Sequence, residues 1–351
     1  MFSTREPKPT LLSSRELPKL LSIAEVAKAS SLQQYLSTTV GPKNRFTHQE
    51  KMLQVENYIY ETFRDFGWKT ERQRYHYESF NGYTEYNIDE TNTGGPKQYH
   101  DLKGVNIIAT KPGKNADQTI IIGAHYDTIS NTPGADDNGT GIAALLELAR
   151  VLGKHSYSKT LMLVAFDMEE IGFAGSQAFV EKLSPSAVVD GVIIFETVGY
   201  FDEKENSQKI PSGFSLLYRQ QIGQVKKNLF KGDFITVIHN GKSKKLASLI
   251  AGANQSLKAI PLVFIRDPLD LPILGVILKR LFPVLKNLLR SDHVPFWQEK
   301  LPAIQLTDTA NFRNPNYHRP TDTLDTVNFH ALQRLVQIVA VATCVLAGVQ
   351  E

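Results

Sequence analysis

The side chains best suited to chemistry gather in a few short stretches. An apolar run from Thr119 to Ile122 reads as a buried strand, and the stretch Ile120 to Thr128 carries His125 and Asp127 just beyond it. Residues i and i+2 of an extended chain share a side, so this imidazole and carboxylate can act together. A turn reading Pro-Gly-Ala-Asp-Asp-Asn-Gly-Thr-Gly follows at 133–141 and supplies Asp136 and Asp137. Further on, 167–170 reads Asp-Met-Glu-Glu, with Glu169 and Glu170 adjacent, and 195–199 places Glu196 after another apolar run. The segment 291–293 offers His293, and Tyr317 and His318 lie in the Pro-containing loop 316–322.

Mixed histidine and carboxylate ligation suits zinc, with Mn2+ or Co2+ as tolerable substitutes. Several carboxylates with two histidines are more than one zinc uses. A carboxylate bridging two metals roughly 3.5–4 Å apart uses them naturally, and one glutamate of the adjacent pair is then free to act as a base. Taken singly these pieces are ordinary. A Glu-Glu pair is commonly a solvated turn, and Asp-Asp-Asn-Gly is commonly a turn with a helix cap. Their weight comes from their order, each after a strand, because open α/β sheets bind ligands beyond the carboxyl ends of their strands.

The elements that must position them follow from periodicity. Positions 52, 55, 59, 63 and 66 recur at helical spacing until Gly67. Residues 68–86 alternate and are rich in Tyr, with Asn81-Gly82 as an expected hairpin turn, and 105–110 is a further strand. Helix is expected at 142–152, 174–183, 244–253 and 327–349, and strand at 159–167, 188–197, 260–265 and 301–306. The region with Pro211, Gly213 and Gly223 reads as looser. Alternating β and α predicts a twisted, mostly parallel mixed sheet in one three-layer α/β/α domain, with antiparallel strands from the early hairpin at an edge. Residues 1–45 read as a loose N-terminal arm and 46–351 as the domain.

With those residues in view, the chain resembles the M28 family of co-catalytic zinc peptidases. The resemblance rests on 123–128, 133–141, 169–176 and 317–318, supported by 291–296 and Asp322-Thr323, and it covers about 100–345. It implies the phosphorylase/hydrolase-like zinc-exopeptidase fold, two Zn2+ per chain and peptide substrates cut at their N-terminus. It implies that His125 and Glu196 bind one zinc, that Glu170 and His318 bind the other, and that Asp137 bridges both. Glu196 stands where many members have aspartate, a departure of one methylene. Glu169 matches the general base, and Asp127 the acid that orients the first histidine. Asp136 is expected to be structural, Glu147 to lie at the surface, and Asp322 to hold the loop of His318. His293 and Tyr317 are candidate substrate contacts, and capping the next helix is the other reading of His293. The alternatives on the same fold are a glutaminyl cyclase with a single zinc, a carboxypeptidase using Arg313 and Arg319 for a substrate carboxylate, and a binding scaffold, which should have lost ligands.

Composition bounds the rest. The chain has 351 residues, 42% hydrophobic and 21% charged, with net charge +3 and no basic stripe of the kind that marks nucleic-acid binding. The one cysteine, Cys344, permits no intrachain disulfide and reads as core. No apolar stretch among the charged N-terminal residues is long enough for a signal peptide, which makes cytoplasmic the expectation and leaves export open. The apolar run 335–349 is shorter than the ~20 residues of a spanning helix and reads as a buried helix, so no transmembrane segment is expected. Oligomeric state is not legible. The segment 266–290 is densely apolar with basic punctuation. It reads as a loop and helix packed on the core, as an apolar wall over the site built on Leu278 and Leu281, or as a membrane-surface helix whose continuity Pro283 breaks.

Overall fold

A computed structural model describes residues 6–85, 94–184 and 187–350. In chain order the elements are α1 (Leu17–Ala24), α2 (Ala29–Thr39), α3 (Gln49–Asp65), β1 (Lys69–Tyr83), β2 (Pro96–Lys111), β3 (Asn115–His125), α4 (Gly141–Leu152), β4 (Lys159–Phe166), α5 (Ala174–Glu181), β5 (Val188–Phe195), α6 (Phe214–Leu217), α7 (Arg219–Lys227), β6 (Ile235–His239), α8 (Lys244–Leu257), β7 (Leu262–Arg266), α9 (Pro272–Leu281), α10 (His293–Gln298), β8 (Ala303–Thr307) and α11 (Phe329–Ala347). The eight strands form one sheet in the order β1-β2-β4-β3-β5-β8-β6-β7.

The middle of the sheet fixes the site. β4, β3, β5 and β8 are neighbours and parallel, so their carboxyl ends share one edge. β3 is buried on both faces, and its side chains alternate between them. Ile120, Ile122 and Ala124 join the core under α4, α8 and α11, while Ile121 joins Phe179 of α5 and Phe296 of α10 on the other side. β1 and β2 add the expected antiparallel edge. β6 runs antiparallel to β8 and carries β7 at the far edge.

Three expectations are corrected. Residues 17–39 are not loose. Leu20, Ile23, Leu32, Tyr35 and Leu36 are buried in the main core, because helical spacing gives α1 and α2 an apolar face that the charges between them conceal in the sequence. Glu147 is fully buried rather than at the surface. The backbone N–H of Lys28, at the N-terminus of α2, donates to its Oε1 at 2.6 Å, and Arg150 Nε donates to Oε2 at 2.8 Å. A helix N-terminus with its free N–H groups and a cation together hold that charge. Asn81-Gly82 is not a turn: β1 runs through it, with Asn81 opposite Gln98 and Gly82 opposite Lys97. Gly82 is there for space, since a Cβ would lie 2.0 Å from the Ile171 carbonyl oxygen.

β6 emerges from the region read as loose. Its five residues are bounded by loop and are fully buried. α11 is long and apolar enough to pass for a membrane span, but Leu335 through Cys344 are buried in the core, Cys344 among them.

Candidate metal centre

The expected metal ligands and the expected base fall at the shared edge. His125 ends β3, Glu169 and Glu170 follow β4, Glu196 follows β5, and His318 lies in the loop after β8. Asp137 sits in the turn that leads into α4, where the Asp137–Asn138 peptide bond is cis. Met168, Thr197 and His318 have positive φ of 55°, 46° and 58°. Non-glycine residues enter that region at a cost, and such strain concentrates at functional sites.

Two three-residue groups share Asp137. His125, Asp137 and Glu196 place one ligand atom each within 4.8 Å of one another, and so do Asp137, Glu170 and His318. Asp137 reaches both ways: Oδ1 lies 3.4 Å from His125 Nε2, and Oδ2 lies 3.1 Å from His318 Nε2. Glu196 Oε2 is 3.4 Å from His125 Nε2, and Glu170 Oε2 is 3.4 Å from His318 Nε2. Glu169 forms a third group with His125 and Glu170.

A frame of hydrogen bonds holds these groups. His125 Nδ1 faces Asp127 Oδ1 at 3.3 Å, leaving Nε2 for the centre. The same Asp127 carboxylate accepts the backbone N–H of Glu169 at 3.1 Å and of Glu170 at 3.2 Å, so one residue aims the imidazole and pins the glutamate turn. Asp322 accepts the N–H of Asp136 at 2.9 Å and of Asp137 at 3.1 Å. It therefore holds the aspartate turn rather than only its own loop. Asp136 points away from the centre and accepts from Gly199 N at 2.8 Å and Asn314 Nδ2 at 2.8 Å, which is the structural role expected of it.

Zinc or a similar divalent ion fits this donor set. Asp127, Asp137, Glu169, Glu170 and Glu196 face two imidazoles in a buried space, and His125 Nε2, Asp137 Oδ2 and Glu170 Oε1 have no hydrogen-bond partner among the described residues. Carboxylates outnumber the imidazoles in that space, and a divalent cation answers the excess of buried negative charge. The electrostatics carry the same message. Burial pushes Glu170 up to about 7, helped by the Asp137 charge, and pushes Glu169 well above the carboxylate range, helped by Glu196 and Glu170. Burial alone would lower His318, but Glu170 and Asp137 hold it up at about 10. Burial would raise Asp137, but His125 and His318 hold it below the usual carboxylate range.

Tyr317 reaches the site. Its ring stacks on His318 at 3.9 Å between centroids, and it lines two adjoining cavities. His293 does not. It is fully buried with Nε2 2.9 Å from the Leu288 carbonyl and its ring edge-on to Trp297, and burial lowers its pKa to about 4. Its place at the start of α10 makes it part of the packing. Arg313 is spoken for as well, with NH1 donating to the Phe234 carbonyl at 2.6 Å and Nε to Gln208 Oε1 at 2.8 Å.

Four supporting residues have no role in the sequence reading, although Asn138 and Ser291 lie within its motifs. Arg45 bonds Asp167 Oδ2 at 2.6 Å, Glu56 at 2.8 Å and Tyr126 Oη at 2.8 Å, fixing the chain just before Glu169. Lys43 is buried close to Asp322, Asp127 and Asp137, and burial lowers its pKa to about 8. Ser291 Oγ donates to Glu196 Oε2 at 2.7 Å. Asn138 Nδ2 donates to the Phe195 carbonyl at 2.8 Å while its Oδ1 accepts from Thr197 N at 3.2 Å, tying the aspartate turn to the end of β5.

An apolar cavity of about 110 Å³ lies beside the centre, smaller than the cavity of about 720 Å³ that opens on Glu169, Glu170 and His318. Phe214, Ile222, Phe234, Ile238, Val263 and Ile265 line the apolar cavity, and Glu196 and Tyr317 stand at the metal-site end. Segment 266–290 contributes Asn287, Leu288 and Arg290 to its wall rather than Leu278 or Leu281.

Comparison with known proteins agrees with this geometry. Residues 106–241 and 274–343 match the profile described as Peptidase family M28. Over 335 residues the chain is 30% identical to the uncharacterized protein YfbL of Escherichia coli, spanning 92% of this chain and 88% of that one. It is 39% identical to the aminopeptidase YwaD of Bacillus subtilis over 90 residues, which are 25% of this chain and 20% of that protein. The fold is shared with a zinc aminopeptidase from Bacillus subtilis, at TM-score 0.65 and 16% identity, covering 92% of this chain and 96% of that one.

Proposed function

The chain belongs to peptidase family M28 and is a metallopeptidase, and from that premise we propose that it removes N-terminal residues from peptides at a centre of two zinc ions. The observation that carries this reading is the shared Asp137, whose two oxygens face the histidines of two separate three-ligand groups. His125, Asp137 and Glu196 would hold one ion, and Asp137, Glu170 and His318 the other. Zinc ions bound there supply Lewis acidity that polarises a scissile carbonyl and acidifies water. Glu169 is the buried carboxylate left over from both groups. It takes the proton of the attacking water and returns it to the leaving amine. Asp127 keeps the His125 tautomer and the position of Glu169 fixed together through one carboxylate. The surplus of buried acid gives a free α-amine a place that an acylated N-terminus lacks. Tyr317 borders the same space and is positioned to contact substrate.

The apolar cavity next to Glu196 supports an apolar side chain at the substrate's N-terminus. It replaces the wall expected from Leu278 and Leu281: Leu278 is buried in the cluster that backs the cavity without lining it, and Leu281 faces outward.

A panel of aminoacyl-arylamides tests the reading. Zinc-loaded protein is expected to release arylamine from leucyl and phenylalanyl substrates and not from their N-acetylated forms. Glu169→Gln is expected to keep its zinc and lose about 10²–10⁴-fold in kcat, the usual contribution of a positioned base. Cleavage of the acetylated substrates would exclude the aminopeptidase, and cyclisation of glutaminyl substrates without arylamine release would favour the cyclase chemistry.

A further inference from the structure

The segment between β7 and α10 presents an apolar face to solvent. Ile273, Val276, Ile277 and Leu281 of α9 are 79%, 71%, 48% and 65% exposed. The opposite side of the helix is anchored. Gly275 and Leu278 are buried, and the turn after α9 drives Leu285 and Leu288 into the cluster with Phe214, Val263 and Ile265. At 100° per residue, Val276, Arg280, Ile273, Ile277 and Leu281 fall within an arc of about 140°. The face is therefore a stripe held outward by a fixed underside.

Its charge is one-sided. Residues 271–290 contain Lys279, Arg280, Lys286 and Arg290 and no Asp or Glu. Lys279 and Lys286 also line the cavity that opens on Glu169, Glu170 and His318, so the stripe and the mouth of the centre belong to one surface.

We propose that α9 docks this protein on an anionic lipid surface, with the aliphatic stripe entering the headgroup region and the surrounding cations meeting lipid phosphates. An amphipathic helix lying in the interface needs an apolar face flanked by Lys and Arg, whose aliphatic stems let the charged ends reach outward. Each basic group near an anionic leaflet adds to the attraction. Pro283 is no obstacle, because α9 ends at Leu281 before it. A second copy of the chain is a poorer occupant, since a two-fold contact sets the same patch against itself and these cations against one another. A protein partner is also poorer. Protein interface cores favour aromatic residues and methionine and disfavour lysine, whereas this face is Ile, Val and Leu with lysine beside it. Docking turns the mouth of the centre toward the bilayer and does not depend on which bond the enzyme cuts.

Sedimentation of the full chain with vesicles tests this. The protein is expected to pellet with vesicles of phosphatidylcholine and phosphatidylglycerol at least about tenfold more strongly than with phosphatidylcholine alone, and less so as salt rises. The double variant Val276→Asp with Ile277→Asp is expected to weaken that binding at least about tenfold, since both side chains enter the interface. Both positions are exposed, so its melting temperature and arylamide activity should be unchanged. Arg280→Glu should weaken binding and flatten its salt dependence. Equal binding to neutral vesicles, or undiminished binding by the double variant, would overturn the proposal. A dimer by light scattering that the double variant dissolves would assign the face to a second copy. Equally strong binding to soluble poly-glutamate would assign it to an acidic protein.

Discussion

Asp136 and Asp137 are neighbours in one turn, both buried, and they belong to two different regions of the site. Asp136 lies in a frame with Asp127 and Asp322, where carboxylate oxygens accept N–H groups from the turns they hold. Asp137 lies in the centre with His125 and Glu170, where ligand atoms face one another and hydrogen bonds are missing. The contrast teaches what each region is for. Buried polar groups in folded proteins are normally satisfied, so a buried set left unsatisfied beside a fully bonded one marks where the fold reserves coordination for an ion. Stability is given up in the centre and recovered in the frame.

The contrast breaks most sharply at Asp137. Asp137→Asn is expected to lose metal from both groups at once and to lose more activity than the about 10²–10⁴-fold that removal of a base costs. Metal analysis and arylamide kinetics on one preparation check this, and retention of full zinc content would deny that the residue is shared. The frame should respond more gently. Asp322→Ala leaves two buried N–H groups without their acceptor and is expected to cost about 1–3 kcal/mol in the metal-free protein by denaturant unfolding. It is also expected to weaken metal binding by about 10–100-fold, because the turn carrying Asp137 is no longer held.

The smallest effect has the opposite sign. Glu170 has a folded pKa of about 7 against an ordinary value of 4.5, raised first by burial. A carboxyl whose pKa is raised on folding stabilises the folded state while it is protonated. That stability is present below about 4.5 and is lost as pH rises through 7, at about 1.4 kcal/mol per pH unit for each proton involved. Metal-free Glu170→Gln should therefore be more stable than metal-free wild type at pH 8, and the difference should shrink toward pH 4. Bound metal should reverse the order. A loss of stability in metal-free Glu170→Gln at pH 8 would place Glu170 with the frame instead.

Much of the centre was legible because chemistry at a strand end leaves a local trace. His125, Glu169 and Glu196 each come one to three residues after a buried apolar run, and four such runs in parallel must share an edge. The frame was less legible because its bonds cross long stretches of chain. Asp322 holds Asp137 from 185 residues away, and Arg45 holds Asp167 from 122 residues away. Arg45 was further hidden by lying where composition suggested the end of a loose arm. Glu147 looked like a surface charge on α4 because what buries it, the N-terminus of α2, is 119 residues distant. His293 shows the reverse error: it stands in a motif with Ser291, whose hydroxyl does bond Glu196, but its own ring is turned into the core.

The central claim is that one aspartate serves two ions, and zinc titration of metal-stripped protein against a competing chelator tests it most directly. Two equivalents bound per chain, with Asp137→Asn binding neither tightly, is the expected result. A single tight equivalent in the wild type, left intact in Asp137→Asn, would contradict it.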